Sequence, residues 1–332
     1  MIQVVKNRNG SLLLDIVTVI LLVMTLACSA RPSTQQSSSN QSRDTLPAVN
    51  LPEGQGVIDN CSMAEDPHCT DRLRAMAAAG FTLVVNYNQL NATSGQELAY
   101  AEVAQQLGMK IIWAINDPSF WNGNNLLHVY SHLGFTCGCS DNNGFIHYVV
   151  NLVRNLPATW GYLVGEEVMQ TDHDRMKAYA DLIKQLDPHH PRLAISSEYA
   201  NAPGAHIKPF IDTADVIGSS VYPIGNLEPI STVGAVAHAL QLSGDEKGKS
   251  VVLVLQAFSM AQYKACSPAP GCARFPTVAD MREMLDLSLR NSHPRFILWF
   301  SYFDILRSDN PSAYWKRLVE AAGVNQMSPT SW

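Results

Sequence analysis

The sequence predicts a single (β/α)8 TIM barrel, preceded by a signal peptide and a flexible linker, and three observations support this. About 275 of the 332 residues remain once these leading segments are set aside, the usual size of such a barrel. The hydrophobic fraction of 46% and the charged fraction of 16% allow a large core. Eight strand-like runs alternate with eight helix-like runs, as in a closed barrel; a doubly wound open sheet is the alternative.

The first 27 residues have the pattern of an export signal. Lys6 and Arg8 precede an apolar stretch, Leu12 to Ala27, that is shorter than the roughly 20 residues of a membrane-spanning helix. Residues 28–55 are rich in Ser, Gln, Asn and Pro and poor in large apolar side chains, which predicts a flexible linker. The barrel domain is therefore expected over residues 56–325.

Cys28 directly follows the apolar stretch. The tripeptide before it, Thr25-Leu26-Ala27, resembles a bacterial lipobox. The resemblance implies that Cys28 becomes a lipidated amino terminus and anchors the protein to the cell membrane on its outer side. Ordinary cleavage near Ala30, giving a secreted protein, and an uncleaved anchor are the alternatives.

The predicted strands are short runs rich in apolar, β-branched or aromatic residues, apolar over most of their length, as expected when both faces of a parallel sheet are covered. They are Gly56–Asp59, Phe81–Tyr87, Lys110–Asp117, Thr159–Glu167, Arg192–Tyr199, Val216–Tyr222, Ser250–Ser259 and Phe296–Asp304. The predicted helices between and after them cover 69–79, 95–107, 143–155, 172–186, 205–213, 231–242, 277–291 and 311–321.

Polar and aromatic side chains gather at the carboxyl ends of these strands, where the active site of a (β/α)8 barrel lies. A long segment after the third strand, Pro118 to Asn143, lies at the same end. The candidate site residues are Asp59, Asn86, Trp113, Asp117, Glu166, Glu167, Glu198, Tyr222, Gln256, Trp299 and Asp304.

Charge and motifs exclude several function classes. The net charge of −6 and the absence of a long basic run argue against nucleic-acid binding. The sequence has no GxSxG, HExxH or GxGxxG motif, and residues 244–250 (GDEKGKS) depart from a phosphate-binding loop in spacing and position. No cofactor and no metal are predicted. Carboxylates and aromatic rings remain, which is the chemistry of glycoside hydrolysis and of sugar binding.

Seven cysteines are present, and six remain when Cys28 is set aside. An even number in an exported protein indicates disulfides, and six cysteines allow 15 pairings. Their grouping favours the local pairs Cys61–Cys69 and Cys266–Cys272, whereas a Cys137–Cys139 bridge would be strained. A zinc site is the alternative, although the sequence contains no CxxC.

Three segments carry a resemblance to TIM-barrel glycoside hydrolases of the clan A type. Residues 160–167 (WGYLVGEE) look like their fourth strand, which ends in an Asn-Glu or Asp-Glu pair. Residues 214–223 (ADVIGSSVYP) resemble their sixth strand, and residues 296–302 (FILWFSY) resemble the eighth, whose Trp forms a sugar platform.

The resemblance implies that Glu167 is the general acid/base and that Glu166 occupies the Asn or Asp position. Burial beside a like charge should raise the pKa of one of the two carboxyl groups. It further implies that Glu166, Tyr222, Gln256 and Trp299 orient the sugar.

The seventh strand departs from the pattern, because Gln256 stands where the family has its nucleophilic Glu. Three explanations stay open. A second carboxylate, from Asp59, Glu198 or Asp304, acts instead; the amide orients a water molecule or an acetamido group; or the domain binds glycans without cleaving them.

The sequence thus predicts an extracytoplasmic, monomeric glycoside hydrolase whose partner is a carbohydrate substrate. A glycan-binding lipoprotein on the same fold is the first alternative. A barrel hydrolase of another kind, such as a deacetylase or amidase, is the second, and it would need a metal cluster or nucleophile that the sequence does not display.

Overall fold

A computed structural model describes residues 52–115, 137–226, 228–263 and 272–324. Its centre is a closed barrel in which each parallel strand pairs with the next and β8 pairs with β1. The predicted (β/α)8 barrel is confirmed, and the open-sheet alternative is wrong. The strands are β1 Gly54–Asp59, β2 Leu83–Asn86, β3 Lys110–Ala114, β4 Thr159–Glu166, β5 Arg192–Ser197, β6 Val216–Val221, β7 Ser250–Gln256 and β8 Phe296–Phe300.

Helices surround the barrel in the described part of the chain. They are α1 Cys69–Ala78, α2 Ser94–Gln106, α3 Asn142–Val153, α4 His173–Leu186, α5 Thr232–Lys247, α6 Val278–Asn291, α7 Tyr302–Leu306 and α8 Pro311–Ala322. The helix predicted over 205–213 is instead a six-residue 3₁₀ helix, Lys208–Thr213. Pro209 has no amide hydrogen, and the Thr213 hydroxyl donates to the Phe210 carbonyl at 2.7 Å, so this short segment closes in tighter turns.

Two cores lie on opposite sides of the barrel wall. Ile58, Val85 and Leu298 point inward and form part of the core inside the barrel. Their chain neighbours, such as Val57 and Trp299, belong to the core between the barrel and the helices. Because side chains alternate along a strand, one residue of shift decides whether a strand-end side chain faces the mouth or the helices.

Two strand boundaries differ from prediction. β1 begins at Gly54, two residues earlier than expected, and the Gln55 side chain accepts a hydrogen bond from the Trp299 indole at 2.8 Å. β8 ends at Phe300, and α7 occupies the segment predicted to continue the strand. Ser301 ends the strand because its hydroxyl accepts from the Asp304 amide at 3.2 Å and so caps the first turn of α7.

Disulfides lie at the carboxyl-terminal end of the barrel. Cys61 and Cys69 are bonded, as predicted, with their Cα atoms 5.6 Å apart. Cys137 and Cys139 are bonded as well, although the sequence argued against this pair. Cys272 is disulfide-bonded, and its predicted partner, Cys266, lies outside the described residues.

The predicted signal segment, the lipidation site at Cys28 and most of the linker lie outside the described residues. In the described ranges, no helix combines the length and the apolar character that crossing a bilayer requires.

Candidate active site

Two consecutive glutamates end β4 at the mouth of the barrel. Glu166 is the last residue of the strand, and the Glu167 amide donates to the Ile195 carbonyl of β5 at 2.9 Å. The backbone of Glu167 is left-handed, with φ of 52°, a conformation that residues other than glycine seldom adopt. This left-handed residue directly follows Glu166, so the strained backbone lies at the glutamate pair itself. Backbone strain of this kind is commonly found at functional sites.

The carboxyl group of Glu166 retains its proton to unusually high pH. Burial raises its pKa to about 8, the charge of Glu167 adds to the increase, and the neighbouring Tyr87 hydroxyl partly offsets it. The expectation that one of the pair has a raised pKa is therefore fulfilled at Glu166, whereas the resemblance had assigned the proton donor to Glu167. At pH 7 Glu166 is mostly protonated, as a general acid must be.

Two serines from neighbouring strands hold the Glu167 carboxylate. Ser197 of β5 donates its hydroxyl to Glu167 Oε1, and Ser220 of β6 donates to the same oxygen at 3.4 Å. The two serine oxygens lie 3.2 Å apart. Hydrogen bonds from hydroxyl groups favour a negatively charged carboxylate and fix its direction.

Aromatic rings line another part of the mouth in the described residues, and Phe300 of β8 lies at the centre of this cluster. The centroid of its ring is 5.6 Å from that of Tyr222, 6.3 Å from that of Tyr87 and 5.5 Å from that of Phe258. Tyr263, 53% exposed, lies on the outer side of this cluster. The rings give the mouth a partly apolar wall beside the two carboxylates.

Tyr87 and Tyr222 flank the glutamate pair. Burial, together with the charges of Glu166 and Glu167, raises the pKa of both phenols well above the usual value. The Tyr87 hydroxyl is buried, and the Glu166 carboxyl group is the hydrogen-bonding group beside it. Both phenols therefore stay protonated and can donate a hydrogen bond.

A groove with a volume of about 380 Å³ opens beside Glu167. It runs between the segment after β4 and the segment after β5, and its volume is that of a small-molecule site. Its lining includes Glu167, Met169, Ser197, Tyr199, His206 and Phe210.

The two predicted tryptophans do not reach this mouth. Trp113 and Trp299 are fully buried in the core outside the barrel, and their indole nitrogens donate to Thr159 at 2.9 Å and to Gln55 at 2.8 Å. The prediction of a Trp299 sugar platform is wrong, because this side chain points away from the mouth. Phe300, one residue later, faces inward in its place.

Asp59 and Asn86 also turn outward and are corrected as substrate-binding residues. Asp59 is 1% exposed and forms an ion pair of 3.0 Å with Arg72 of α1. The Asn86 side chain accepts from the Cys61 amide and donates to the Cys61 carbonyl, both at 2.8 Å. These contacts fix the segment after β1 to the end of β2, so both residues have a structural role.

Glu198 and Asp304 are buried as well, which removes them as candidates for the second carboxylate. Glu198 accepts from the Ser196 hydroxyl at 2.9 Å and from the Ile207 amide at 2.7 Å. Asp304 accepts from the Ser301 hydroxyl and from the Tyr263 hydroxyl, the latter at 2.6 Å. Each is 2% exposed, so neither faces the cavity.

The hydrogen bonds of the Gln256 side chain in the described residues are all to backbone groups. Its amide accepts from the Ile224 amide and donates to the Ile224 carbonyl, both at 2.8 Å, and donates to the Phe258 carbonyl at 3.1 Å. The side chain is fully buried. The idea that it orients water or an acetamido group is therefore wrong; it fastens the segment after β6 to the end of β7.

Asp117 lies outside the described residues. Cys61, Asp66 and Cys69 form a group with the spacing of metal ligands, but the two sulfur atoms are bonded to each other.

Several mouth residues were missed by the sequence reasoning. Tyr87, Ser197, Ser220 and Phe300 carry the site together with the glutamates. Side-chain alternation along the strands is the signal that could have located two of them. Tyr87 and Phe300 each lie two positions after a residue that faces the inside of the barrel, Val85 and Leu298 respectively.

The described chain is a (β/α)8 TIM barrel, and several solved structures share this fold. Over 88% of this chain and 100% of the other, it matches a putative alpha-L-fucosidase from Bacteroides thetaiotaomicron VPI-5482, with a TM-score of 0.57 and 11% identity. It matches a glucosidase from Croceicoccus marinus over 84% of this chain and 68% of that one, with a TM-score of 0.56 and 13% identity.

A GH10 xylanase from Thermobacillus composti is similar over 81% of this chain and 96% of its own, with a TM-score of 0.53 and 12% identity. At these identities the likeness concerns the fold. No family model and no curated protein matches the chain.

Proposed function

We propose that this protein is a glycoside hydrolase that acts at the mouth of the barrel, with Glu166 as the proton donor. The observation that carries the proposal is the pair of adjacent carboxyl groups with unequal environments. Glu166 has a pKa of about 8, and Glu167 accepts two serine hydroxyl groups. Two carboxyl groups in different states are what glycoside hydrolysis requires.

In the proposed reaction the scissile glycosidic bond lies between these groups and the aromatic wall. Glu166 gives its proton to the glycosidic oxygen as the bond to the anomeric carbon breaks. A water molecule adds to that carbon, and its proton passes to the Glu167 carboxylate. One water is consumed and two free hydroxyl groups are formed. Tyr87 and Tyr222 donate hydrogen bonds at the mouth, and Phe300 contributes the ring against which the sugar packs.

The proposed location is outside the cytoplasm, with a lipid anchor at Cys28. The basic start, the short apolar stretch and the lipobox-like tripeptide support it. The Cys61–Cys69 disulfide agrees, because such bonds persist in oxidising compartments. We further propose that the protein acts as a monomer.

A non-catalytic glycan-binding protein is the second candidate. The observation that favours it is Gln256, which replaces the expected nucleophile and is fully engaged with the backbone. The other acids considered for that role, Asp59, Glu198 and Asp304, are buried and bonded.

A glycan-hydrolysis screen of the intact protein beside Glu166→Gln and Glu167→Gln separates these candidates. We expect turnover by the wild type and a strong loss in both variants, with glycan affinity retained. Equal turnover by the wild type and Glu166→Gln would remove Glu166 from the reaction. Glycan binding without turnover by any of the three proteins would establish the binding protein instead.

A further inference from the structure

The groove beside Glu167 has the features of a sugar-binding subsite. Its volume is about 380 Å³, and Tyr199, with 47% of its surface exposed, forms one side. An exposed aromatic ring in a groove provides a flat apolar face on which a sugar can stack. Glu167, the proposed proton acceptor, lines the groove, so its occupant would be a neighbouring unit of the same glycan.

His206 supplies a hydrogen-bonding group on the same side. Its Nδ1 donates to the Ser197 carbonyl at 2.7 Å, which leaves Nε2 as the acceptor of a neutral imidazole. The His206 ring packs edge-on against Tyr199, with centroids 5.4 Å apart. The groove therefore presents an aromatic face beside an acceptor.

Negative charge surrounds Tyr199. Burial raises the pKa of this phenol, and the carboxylates of Glu167, Glu228 and Glu198 raise it further. Glu228 is held in place because one of its oxygens accepts from the Ala200 amide at 3.1 Å. In the described part of the chain, no Lys or Arg forms a salt bridge with any of these three carboxylates.

The sequence extends this charge pattern to most of the mouth. The segments that connect β1 to β6 with the helix that follows each of them contain no lysine and no arginine. These segments are residues 60–68, 87–93, 115–141, 167–172, 198–207 and 222–231. Basic side chains of the described residues at this end include Arg72, which pairs with Asp59 and Asp66, and Arg175, which pairs with Asp172, besides Arg274 and Arg307, which follow β7 and β8. An acidic sugar in the Glu167 groove would meet carboxylates and no lysine or arginine from these six segments.

We propose that the Glu167 groove binds a sugar that carries a free amino group, so that the substrate is a glycan with positively charged units. The sugar ring stacks on Tyr199, and its ammonium group lies near Glu167 and Glu228. An ammonium group beside an aromatic face gains a cation–π attraction of about 0.5–2 kcal/mol. The inference rests on the proposed glycan site, but it does not require that the glycan be cleaved.

Calorimetric titration of the full-length Glu166→Gln variant tests this without interference from turnover. The probes are tetramers of glucosamine, of N-acetylglucosamine and of galacturonic acid. We expect the glucosamine tetramer to bind about tenfold more tightly than the galacturonate tetramer at 50 mM salt. This advantage should shrink as the salt concentration rises, because exposed charges are screened.

Further substitutions in the Glu166→Gln protein show which residues are responsible for the preference for the glucosamine tetramer. Tyr199→Ala should weaken glucosamine binding about tenfold, whereas Tyr199→Phe, which keeps the ring, should bind nearly as well as the parent. Glu228→Gln should weaken it about twofold to fivefold, as for an exposed ion pair. Glu246→Gln, an exposed carboxylate at the other end of the barrel, is the matched control and should change nothing.

Three results would overturn the inference. They are equal or tighter binding of the galacturonate tetramer, a glucosamine preference that survives Tyr199→Ala and Glu228→Gln, and no binding of any tetramer. Failure of the proposed hydrolase is a different result. A wild-type protein that prefers the glucosamine tetramer but hydrolyses none of them would contradict the hydrolase and support this inference.

Discussion

Acidic side chains at the two ends of the barrel differ in their hydrogen-bond and ion-pair partners. At the amino-terminal end, Arg192 is bonded to Asp215 through two nitrogens, at 2.9 and 3.1 Å, and Lys249 donates to the Ala214 carbonyl at 2.7 Å. At the carboxyl-terminal end, Glu166 and Glu167 have no salt bridge to Lys or Arg within the described ranges. Ion pairs such as Asp59–Arg72 also occur at the carboxyl-terminal end, but in the described ranges the two glutamates of the mouth are not part of them.

The pKa values follow this division. Burial alone would raise the pKa of Asp187 and Asp215, but hydrogen bonds from Tyr162 and His190 to the first, and from Arg192 to the second, hold both pKa values below the usual range. Burial raises the pKa of Glu166 to about 8. A protein keeps such a carboxyl group at some cost in stability, and this is usual where proton transfer is needed.

The largest expected effect concerns the mouth. Glu167→Gln should lower kcat/KM about 10²–10⁴-fold, because it removes the group that accepts the proton of water. In the wild type, kcat/KM should fall as pH rises through about 8, where Glu166 loses its proton. The charge of Glu167 contributes to that raised pKa, so the residual activity of Glu167→Gln should have this alkaline limb at lower pH.

A pH series of kcat/KM on a cleaved glycan measures both effects. An alkaline limb at the same pH in the wild type and in Glu167→Gln would contradict the coupling of the two carboxyl groups. Glu246→Gln, which changes an exposed carboxylate outside the mouth, is the control and should leave the profile as it is.

The second effect concerns the opposite end. Asp215→Asn removes the charge that faces Arg192, whose side chain is 9% exposed. Unfolding free energy at pH 7 should fall by about 2–3 kcal/mol, less than the 3–5 kcal/mol of a fully buried pair, because Asp215 keeps 30% exposure. Glycan affinity should not change.

Denaturant unfolding at several pH values checks the sign of this effect. Since the pKa of Asp215 is lowered in the folded protein, its contribution is present above the unfolded value near 3.8 and is lost as pH falls further. Asp286→Asn, on the exposed face of α6, is the matched control. A loss of stability that is equally large at pH 3 would refute the role of the charge.

The contrast between the ends could be predicted only in part from the sequence. Eight apolar runs separated by helical stretches were enough to predict the barrel fold and the end of the barrel at which the candidate site lies. The direction of individual strand-end side chains could not be obtained in the same way. β8 reads FILWF and is apolar on both faces, so its composition does not reveal whether Trp299 or Phe300 faces inward.

An irregularity in β4 adds to the difficulty. The register between β4 and β5 shifts between Leu163 and Gly165, so simple counting along the strand fails before it reaches Glu166. The resemblance located the correct pair of glutamates but not which of them keeps its proton. That distinction depends on the enclosing mouth and on hydroxyl groups from β5 and β6, which are distant in sequence.

A third prediction concerns the rim of the mouth. Replacing Cys61 and Cys69 together by serine opens a loop with a sequence separation of 8. Chain-entropy arguments assign such a bridge about 2–3 kcal/mol. We expect a loss of this size in unfolding free energy, measured with denaturant at pH 7. Reduction of the wild type with dithiothreitol should cause at least this loss, because it breaks the same disulfide together with those of Cys137–Cys139 and Cys272. It should lower the stability of the double variant less.

The smallest effect tests whether a carboxyl group at the mouth end destabilises the fold. Glu97 lies in the first turn of α2, is 1% exposed, and neither of its carboxylate oxygens has a hydrogen-bond partner. Burial raises its pKa to about 9. The folded protein therefore holds this proton more tightly than the unfolded chain, and the associated stability is complete below about pH 4.5 and declines as pH rises towards 9.

Glu97→Gln replaces the carboxyl group with an amide that cannot ionise. At pH 8 the variant should be more stable than the wild type by about 1–3 kcal/mol, the range for a buried polar group without a partner, and at pH 5 the difference should nearly vanish. Glu102→Gln, an exposed position on the same helix, should show no such pH dependence. A wild type whose stability stays constant between pH 5 and 8 would show that Glu97 is neutralised or hydrated in solution. The amino-terminal end of the barrel, where the pKa values of Asp187 and Asp215 are lowered, would then differ less from the mouth than the structure indicates.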